Sequence, residues 1–319
     1  MAVVNEIIKE RIEKIIKTIR KSKYNAIVVG PSGRNKKHFR VYLNGGFVLQ
    51  IPVMTTGHFH VLEKEFVSDK KDYVKEQDRE KLKKIRNDIE EINKNKGTFP
   101  FYKVYEYFEE SNNYYLNEYL KLANTATKGK FTQEHGGKKE RNWQTEIIKN
   151  KIKAKSTDGF IVFDMEFQTR AIENPLRDNG ASNRGKPDYV GFDGEKFYLV
   201  ELKTNISACE GECGLKEHEN DMKALIKHNL SNSNSNLVEE FIHRFTLLLE
   251  YGIIDKSWKP AIEKIIERGS KDCLDYCFLF LINGNYSKED YISQVDVQNI
   301  TTDKVFFCKD NFEIVRYKE

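Results

Sequence analysis

Apolar residues recur at two different spacings along the chain, and these spacings predict where helices and strands lie. Five isoleucines at helical spacing predict an amphipathic helix with a lysine-rich polar face over residues 4–21: Ile8, Ile12, Ile15, Ile16 and Ile19. An apolar strand follows, and residues 39–67, with the turn-forming stretch Asn44–Gly46 between β-type runs, predict one or more hairpins. Residues 70–95 predict a long, highly charged helix.

A change of pattern in the middle of the chain predicts two domains. Residues 102–119 are crowded with aromatic side chains, which either form core or stack on exposed bases. The stretch 124–140 is polar and contains glycines, with little apolar periodicity. We therefore predict a boundary there, with an α+β domain over residues 1–135 and a second domain over 136–319.

In the second domain, helical and strand patterns alternate, which indicates an α/β fold. The predicted elements are a helix (140–154), a strand (159–168), two strands (188–193 and 196–203), three helices (214–229, 237–251 and 258–268) and two strands (277–282 and 305–308).

Composition fits a globular protein of two domains. The chain has 319 residues, of which 39% are hydrophobic and 32% charged. Charges interrupt every apolar run near the amino terminus, so neither a signal peptide nor a membrane span is expected, and the sequence predicts a cytoplasmic protein. Five cysteines, an odd number, favour reduced thiols over a disulfide framework.

Charge is distributed unevenly between the two parts. Residues 1–139 hold 28 basic and 18 acidic side chains, a net charge of +10, whereas residues 140–319 hold 25 and 31, a net charge of −6. A basic domain beside an acidic one indicates a polyanionic partner, with nucleic acid as the first candidate. A lysine-rich composition alone would also produce this asymmetry.

The stretch 186–205 predicts a β-hairpin that carries chemistry. Asp193 and Gly194 supply the turn, and the second strand is almost entirely apolar, as in a buried strand. Side chains alternate along a strand, so Glu201 and Lys203 share one face, and Asp188 begins the neighbouring strand. Two carboxylates and an amine are costly to bury unless they pair or bind something, and together they suit Mg²⁺.

Pro187-Asp188, followed thirteen positions later by Glu201-Leu202-Lys203, resembles the PD-(D/E)xK nuclease superfamily. The resemblance covers residues 140–319, and no family is recognised for residues 1–139. It implies a restriction-endonuclease-like core, a mixed central β-sheet flanked by helices. It also implies a Mg²⁺- or Mn²⁺-dependent endonuclease, with DNA as the expected substrate and restriction, defence or repair as its setting.

Within that interpretation, Asp188, Glu201 and the main-chain carbonyl of Leu202 would bind the metal. Lys203 would orient the attacking water and stabilise developing charge. The superfamily usually adds an acid from the preceding helix. Glu140 is our candidate, with Gln144 one turn later, although Glu140 could instead only cap the helix.

Other assignments have two interpretations each. Glu166 is either a further ligand or part of the polar side of a strand, and His218 is either an auxiliary residue near the scissile phosphate or a core histidine. Cysteines spaced four apart, Cys209 with Cys213 and Cys273 with Cys277, are either packing residues or ligands of zinc or of an iron–sulfur cluster, which some superfamily members hold. A catalytically inactive nucleic-acid-binding module is the alternative function, and homodimer formation is open.

Overall fold

A computed structural model describes residues 2–24, 26–32, 38–53, 58–61, 75–94, 100–109, 114–131, 137–165, 187–211, 214–231, 237–269 and 271–317. The chain divides into two compact units, the first unit over residues 1–149 and the second over 150–319. The fold is mixed α/β, with an antiparallel sheet in the first unit and a mixed sheet in the second. This confirms the α/β prediction.

The first unit combines helices with a four-stranded antiparallel sheet of order β1-β2-β3-β4. Its elements are α1 (Ala2–Lys21), β1 (Ile27–Ser32), β2 (His38–Leu43), β3 (Gly46–Pro52), β4 (His60–Val61), α2 (Glu76–Lys94), α3 (Pro100–Glu109), α4 (Tyr114–Phe131) and the first thirteen residues of α5 (Gly137–Lys151).

Local sequence accounts for two features of this unit. The isoleucines of α1 that set its predicted face are buried. Asn44 and Gly45 form the β2–β3 turn with φ of 48° and 84°, which confirms the predicted hairpin. A Cβ on Gly45 would lie 2.9 Å from the backbone of Arg141 on α5, so this turn needs glycine for space as well as for backbone conformation.

Most described aromatic residues of 102–119 form core, as one of the two interpretations predicted. Tyr105, Phe108 and Tyr119 are buried, and the Tyr119 hydroxyl donates a hydrogen bond to the Val48 carbonyl. Tyr107 is half-buried, and it stacks on Tyr115, whose side chain is 39% exposed.

The second unit is built around a six-stranded mixed sheet of order β10-β9-β8-β7-β6-β5. Its elements are β5 (Ile161–Met165), β6 (Tyr189–Phe192), β7 (Phe197–Lys203), α6 (Leu215–Ser231), α7 (Leu237–Glu250), α8 (Lys259–Arg268), β8 (Leu274–Leu281), α9 (Lys288–Val297), β9 (Val305–Cys308) and β10 (Ile314–Arg316). Strands β5, β6 and β7 form an antiparallel meander, and β8 pairs parallel with both β7 and β9.

Aromatic side chains pack on both faces of this sheet. Phe192 and Phe197 contact Phe245 of α7 on one face, and Phe192 also contacts Trp258. On the other face, Tyr198 and its neighbours Phe160 and Phe306 form a second cluster. All seven residues of β7 are buried, as predicted for a central strand.

Several boundaries differ from the sequence prediction. Helix α4 continues to Phe131, through the first half of the stretch expected to be a linker, because Asn124 and Thr127 accept hydrogen bonds from Asn44. The division into compact units falls inside α5, at residues 149 and 150. Helix α9 was not predicted, because its only buried side chains are Tyr291 and Val295. No helix among the described residues is long and apolar enough to cross a membrane.

Candidate active site

The candidate site begins at the carboxyl end of β7. Glu201 and Lys203 point to the same face of this strand, and their side chains are 8% and 4% exposed. Lys203 Nζ lies 3.1 Å from Glu201 Oε1. The sequence predicted this shared face, and the ion pair is one of the two ways in which such buried charges are stabilised.

Asp188 lies immediately before β6, and its side chain is hydrogen-bonded to β7, the second strand of the hairpin. Its Oδ2 accepts a hydrogen bond from the main-chain N–H of Leu202 at 2.8 Å. Tyr189 pairs with Val200, so one further step along the antiparallel register puts Asp188 opposite Glu201. The hairpin therefore brings both carboxylates to one end of the sheet.

The main-chain carbonyl of Leu202 faces the same edge. In a strand, the N–H and C=O of one residue point to the same side, and this N–H donates toward Asp188. The position opposite Leu202 in the register is Pro187, which has no N–H to donate. The proline thus removes the ladder hydrogen bond that this carbonyl would otherwise accept.

His218 joins the cluster from the first turn of α6. Its Nε2 lies 3.0 Å from Glu201 Oε1, and its side chain is 23% exposed. Glu201 Oε1 therefore contacts both an ammonium and an imidazole. The structure brings together Asp188, Glu201, Leu202, Lys203 and His218, which we call the β7 cluster.

Three polar contacts hold α6 in place, and of these the contact with β8 is buried. The Gln298 side chain donates to the Cys209 carbonyl at 2.6 Å and accepts from the Lys216 N–H at 3.2 Å, so it joins the β7–α6 connection to the start of α6. One turn along, Glu219 accepts a hydrogen bond from the Tyr276 hydroxyl of β8 at 2.7 Å. Sequence reasoning missed Gln298 and Tyr276, because nothing in their local pattern relates them to α6.

Three candidates remain, namely Glu140, Gln144 and Glu166. Glu140 and Gln144 lie on the part of α5 that belongs to the first unit, where Glu140 is half-buried and Gln144 is buried. Their assignment stays a prediction. Glu166 lies outside the described residues.

Asp164, which shares the strand of Glu166, has a structural role. It is fully buried and forms an ion pair with Arg244 of α7, which also pairs with Glu240. All five residues of β5 are buried, so the face that carries Asp164 is not a solvent-exposed polar side. The sequence offered a signal in this acid among apolar neighbours, but its partner lies 80 positions away.

The cysteines behave as packing residues in the part of the chain that is described. Cys209, Cys273, Cys277 and Cys308 are buried and form no disulfide bond, and Cys213 lies outside the described residues. Burial raises the pKa of the Cys209 thiol to about 11, and the Lys203 charge acts in the opposite direction.

The oxygen donors of the β7 cluster fit a hard divalent cation. Among the described residues, no group of three or more His, Cys, Asp or Glu side chains is arranged to hold a metal. The cluster instead offers two carboxylates and the Leu202 carbonyl, and Mg²⁺ in proteins often takes only one or two carboxylates and keeps several waters.

Comparisons with protein-family models, curated proteins and solved structures find no match to this chain. Any assignment of function therefore depends on the chemistry of the β7 cluster.

Proposed function

We propose that the protein is a metal-dependent nuclease that hydrolyses phosphodiester bonds, with DNA as the expected substrate. The observation that carries the proposal is the convergence of Asp188, Glu201 and Lys203 at the end of a buried hairpin. An acid, a second acid and a lysine in this order are what the resemblance to the PD-(D/E)xK superfamily requires. The mixed sheet flanked by helices agrees with the core that the resemblance implies.

Mg²⁺ or Mn²⁺ would be held by Asp188, Glu201 and the Leu202 carbonyl. When bound, such an ion supplies a water of lowered pKa and neutralises charge on phosphoryl oxygens. The hydrogen bond from Leu202 N–H fixes the Asp188 carboxylate, and the contact with His218 fixes that of Glu201. Both acids are thus oriented before any ligand arrives.

Lys203 has a separate role in the proposal. Its ammonium group is a point charge with three donors, held beside Glu201 at the carboxyl end of the strand. From there it can donate to a phosphoryl oxygen and orient the attacking water. His218 acts through Glu201, so we treat it as a positioning residue.

The partners follow from the same proposal. A nuclease needs contacts to the phosphate backbone beyond the reacting group, and the basic first part of the chain is where we expect them. We further propose that the protein acts in the cytoplasm, in defence or repair.

The test is cleavage of supercoiled plasmid, linear duplex, single-stranded DNA and RNA with Mg²⁺, Mn²⁺ or EDTA. Lys203→Ala is the inactive variant, and Lys196→Ala, an exposed lysine at the turn of the same hairpin, is its matched control. Metal-dependent cutting that only Lys203→Ala abolishes supports the proposal. If wild-type protein binds nucleic acid without cutting it, the protein is a binding module and the nuclease proposal is wrong.

A further inference from the structure

A polar cavity of about 230 Å³ lies among the elements of the first unit. It is lined by residues from the turn after α1, the tip of the β2–β3 hairpin, α4 and α5: Lys23, Tyr24, Asn44, Asn124, Lys128 and Glu146. None of these residues belongs to the β7 cluster, so the cavity is a separate candidate site.

The wall formed by the hairpin tip is rigidly held. Asn44 Nδ2 donates to Asn124 Oδ1 at 3.0 Å and to Thr127 Oγ1 at 2.9 Å, which joins the β2–β3 turn to α4. Since Asn124 Oδ1 accepts this bond, the amide nitrogen of Asn124 is the end that can donate to another group. These two asparagines can therefore contact a ligand with little further loss of side-chain entropy.

The charge of the lining favours an anion. Among the lining residues, Lys23 and Lys128 are cationic and Glu146 is acidic, and Glu146 Oε2 lies 3.0 Å from Lys149 Nζ. The stretch of chain that ends at Lys23 is also basic, because residues 14–23 contain five cationic side chains and no acidic one. Summed charge of this kind raises the local concentration of anions.

The hydrogen-bond donors of the lining favour an anion that has several acceptor oxygens. The two lysines carry three donors each, Tyr24 has a hydroxyl and Asn124 has an amide nitrogen. Charged donors to phosphate oxygens make strong hydrogen bonds. We propose that this cavity binds a phosphate ester group, namely a phosphate of the nucleic acid on which the β7 cluster acts. The identification of nucleic acid as the source of that phosphate rests on the proposed function, whereas phosphate binding itself does not.

The test measures nucleic-acid binding by the full chain, with Lys203→Ala in every protein to prevent cleavage. Lys23→Ala/Lys128→Ala is compared with Lys81→Ala/Lys84→Ala, which removes the same charge from exposed positions on α2. We expect binding to weaken about tenfold or more in the cavity variant alone. Loss of one phosphate contact should also reduce the slope of log K against log salt by about 0.7 to 0.9.

Two further variants separate ligand contact from a folding defect. Lys23→Arg/Lys128→Arg keeps the charges and should retain most of the binding, and Glu146→Gln should strengthen it. Thermal unfolding of each variant shows whether the fold is intact. Equal binding by the cavity variant and the α2 control would overturn the proposal, because the effect would then be one of overall charge.

The source of the phosphate is tested by competition with AMP, inorganic phosphate and adenosine. Competition by AMP but not adenosine supports a phosphate site that nucleic acid occupies. If AMP or phosphate binds in the cavity without any effect on nucleic-acid binding, nucleic acid is not the source of the phosphate. The ligand is then a small phosphate ester. No response to any of these probes overturns phosphate binding altogether.

The outcomes also separate this proposal from the nuclease proposal. If wild-type protein cleaves nucleic acid while the cavity and control variants bind alike, the cavity proposal fails and the nuclease proposal stands. If wild-type protein cleaves nothing, yet the cavity variant alone loses nucleic-acid binding, the nuclease proposal fails and the cavity proposal stands.

Discussion

The carboxylate of Asp188 accepts a hydrogen bond from the main-chain N–H of Leu202, across the two strands of one hairpin. This bond orients the acid, and the hairpin register places it opposite Glu201. The Leu202 carbonyl points to the same side of the strand as the N–H that makes this bond. One hairpin therefore brings together three of the oxygen donors on which the proposed chemistry depends.

Substitution of Asp188 should separate its structural role from its catalytic one. Asp188→Asn keeps an oxygen that can accept from Leu202, whereas Asp188→Ala removes it and should cost about 0.5–1.5 kcal/mol of unfolding free energy. Both should lower the cleavage rate by about a thousandfold or more, because both remove a metal ligand. Urea unfolding and single-turnover cleavage measure the two effects. An active Asp188→Asn protein would rule out this carboxylate as a ligand.

Metal binding should be visible without catalysis. If Asp188 and Glu201 hold Mn²⁺, the ion stabilises the folded state by about 2.7 kcal/mol at a hundred times its Kd. We expect Mn²⁺ to raise the Tm of wild-type protein and to leave the Tm of Glu201→Gln nearly unchanged. Glu195→Gln, an exposed acid at the turn of the same hairpin, is the matched control and should respond like wild type. A Glu201→Gln protein that shows the full shift would contradict the assignment.

The buried ion pair of Asp164 and Arg244 should contribute strongly to the free energy of unfolding, because it joins β5 to α7. Arg244→Met leaves the Asp164 charge buried without its partner, which should cost about 3–5 kcal/mol. Asp164→Leu together with Arg244→Met removes both charges and should recover much of that loss. Urea denaturation of both proteins checks this. A double variant no more stable than Arg244→Met would show that the ion pair is not the cause.

Glu219 should make stability depend on pH in the acid range. Burial raises the pKa of this carboxyl. Hydrogen bonds from Lys216, Tyr276 and Lys223 together lower the pKa by more than burial raises it, so the pKa lies below its ordinary value. A carboxyl with a depressed pKa in the folded state stabilises the protein above its unfolded pKa, and this contribution is lost as pH falls through the folded value.

The corresponding measurement compares Tm for wild type and Glu219→Gln at several pH values. The difference should be largest near about pH 7 and should shrink below about pH 4, where the carboxyl becomes protonated in both states. A difference that stays constant over this range would mean that Glu219 contributes through packing alone.

Local signals were sufficient to predict much of the fold. Asn44-Gly45 and Asp193-Gly194 mark turns because few other residues adopt their backbone conformations, and both hairpins are present in the structure. Weakly patterned elements were missed. Helix α9 buries only two side chains, so its periodicity is too faint to separate it from a loop.

The sequence by itself determined that Asp188, Glu201 and Lys203 would meet, because a hairpin fixes register and a strand fixes which side chains share a face. Only the tertiary structure decided what surrounds them. His218 reaches Glu201, Gln298 joins Cys209 to Lys216, and Arg244 neutralises Asp164 through packing between elements distant along the chain. Such contacts depend on how the helices pack against the sheet. That arrangement is set by the fit of the whole core, and no short stretch of sequence encodes it.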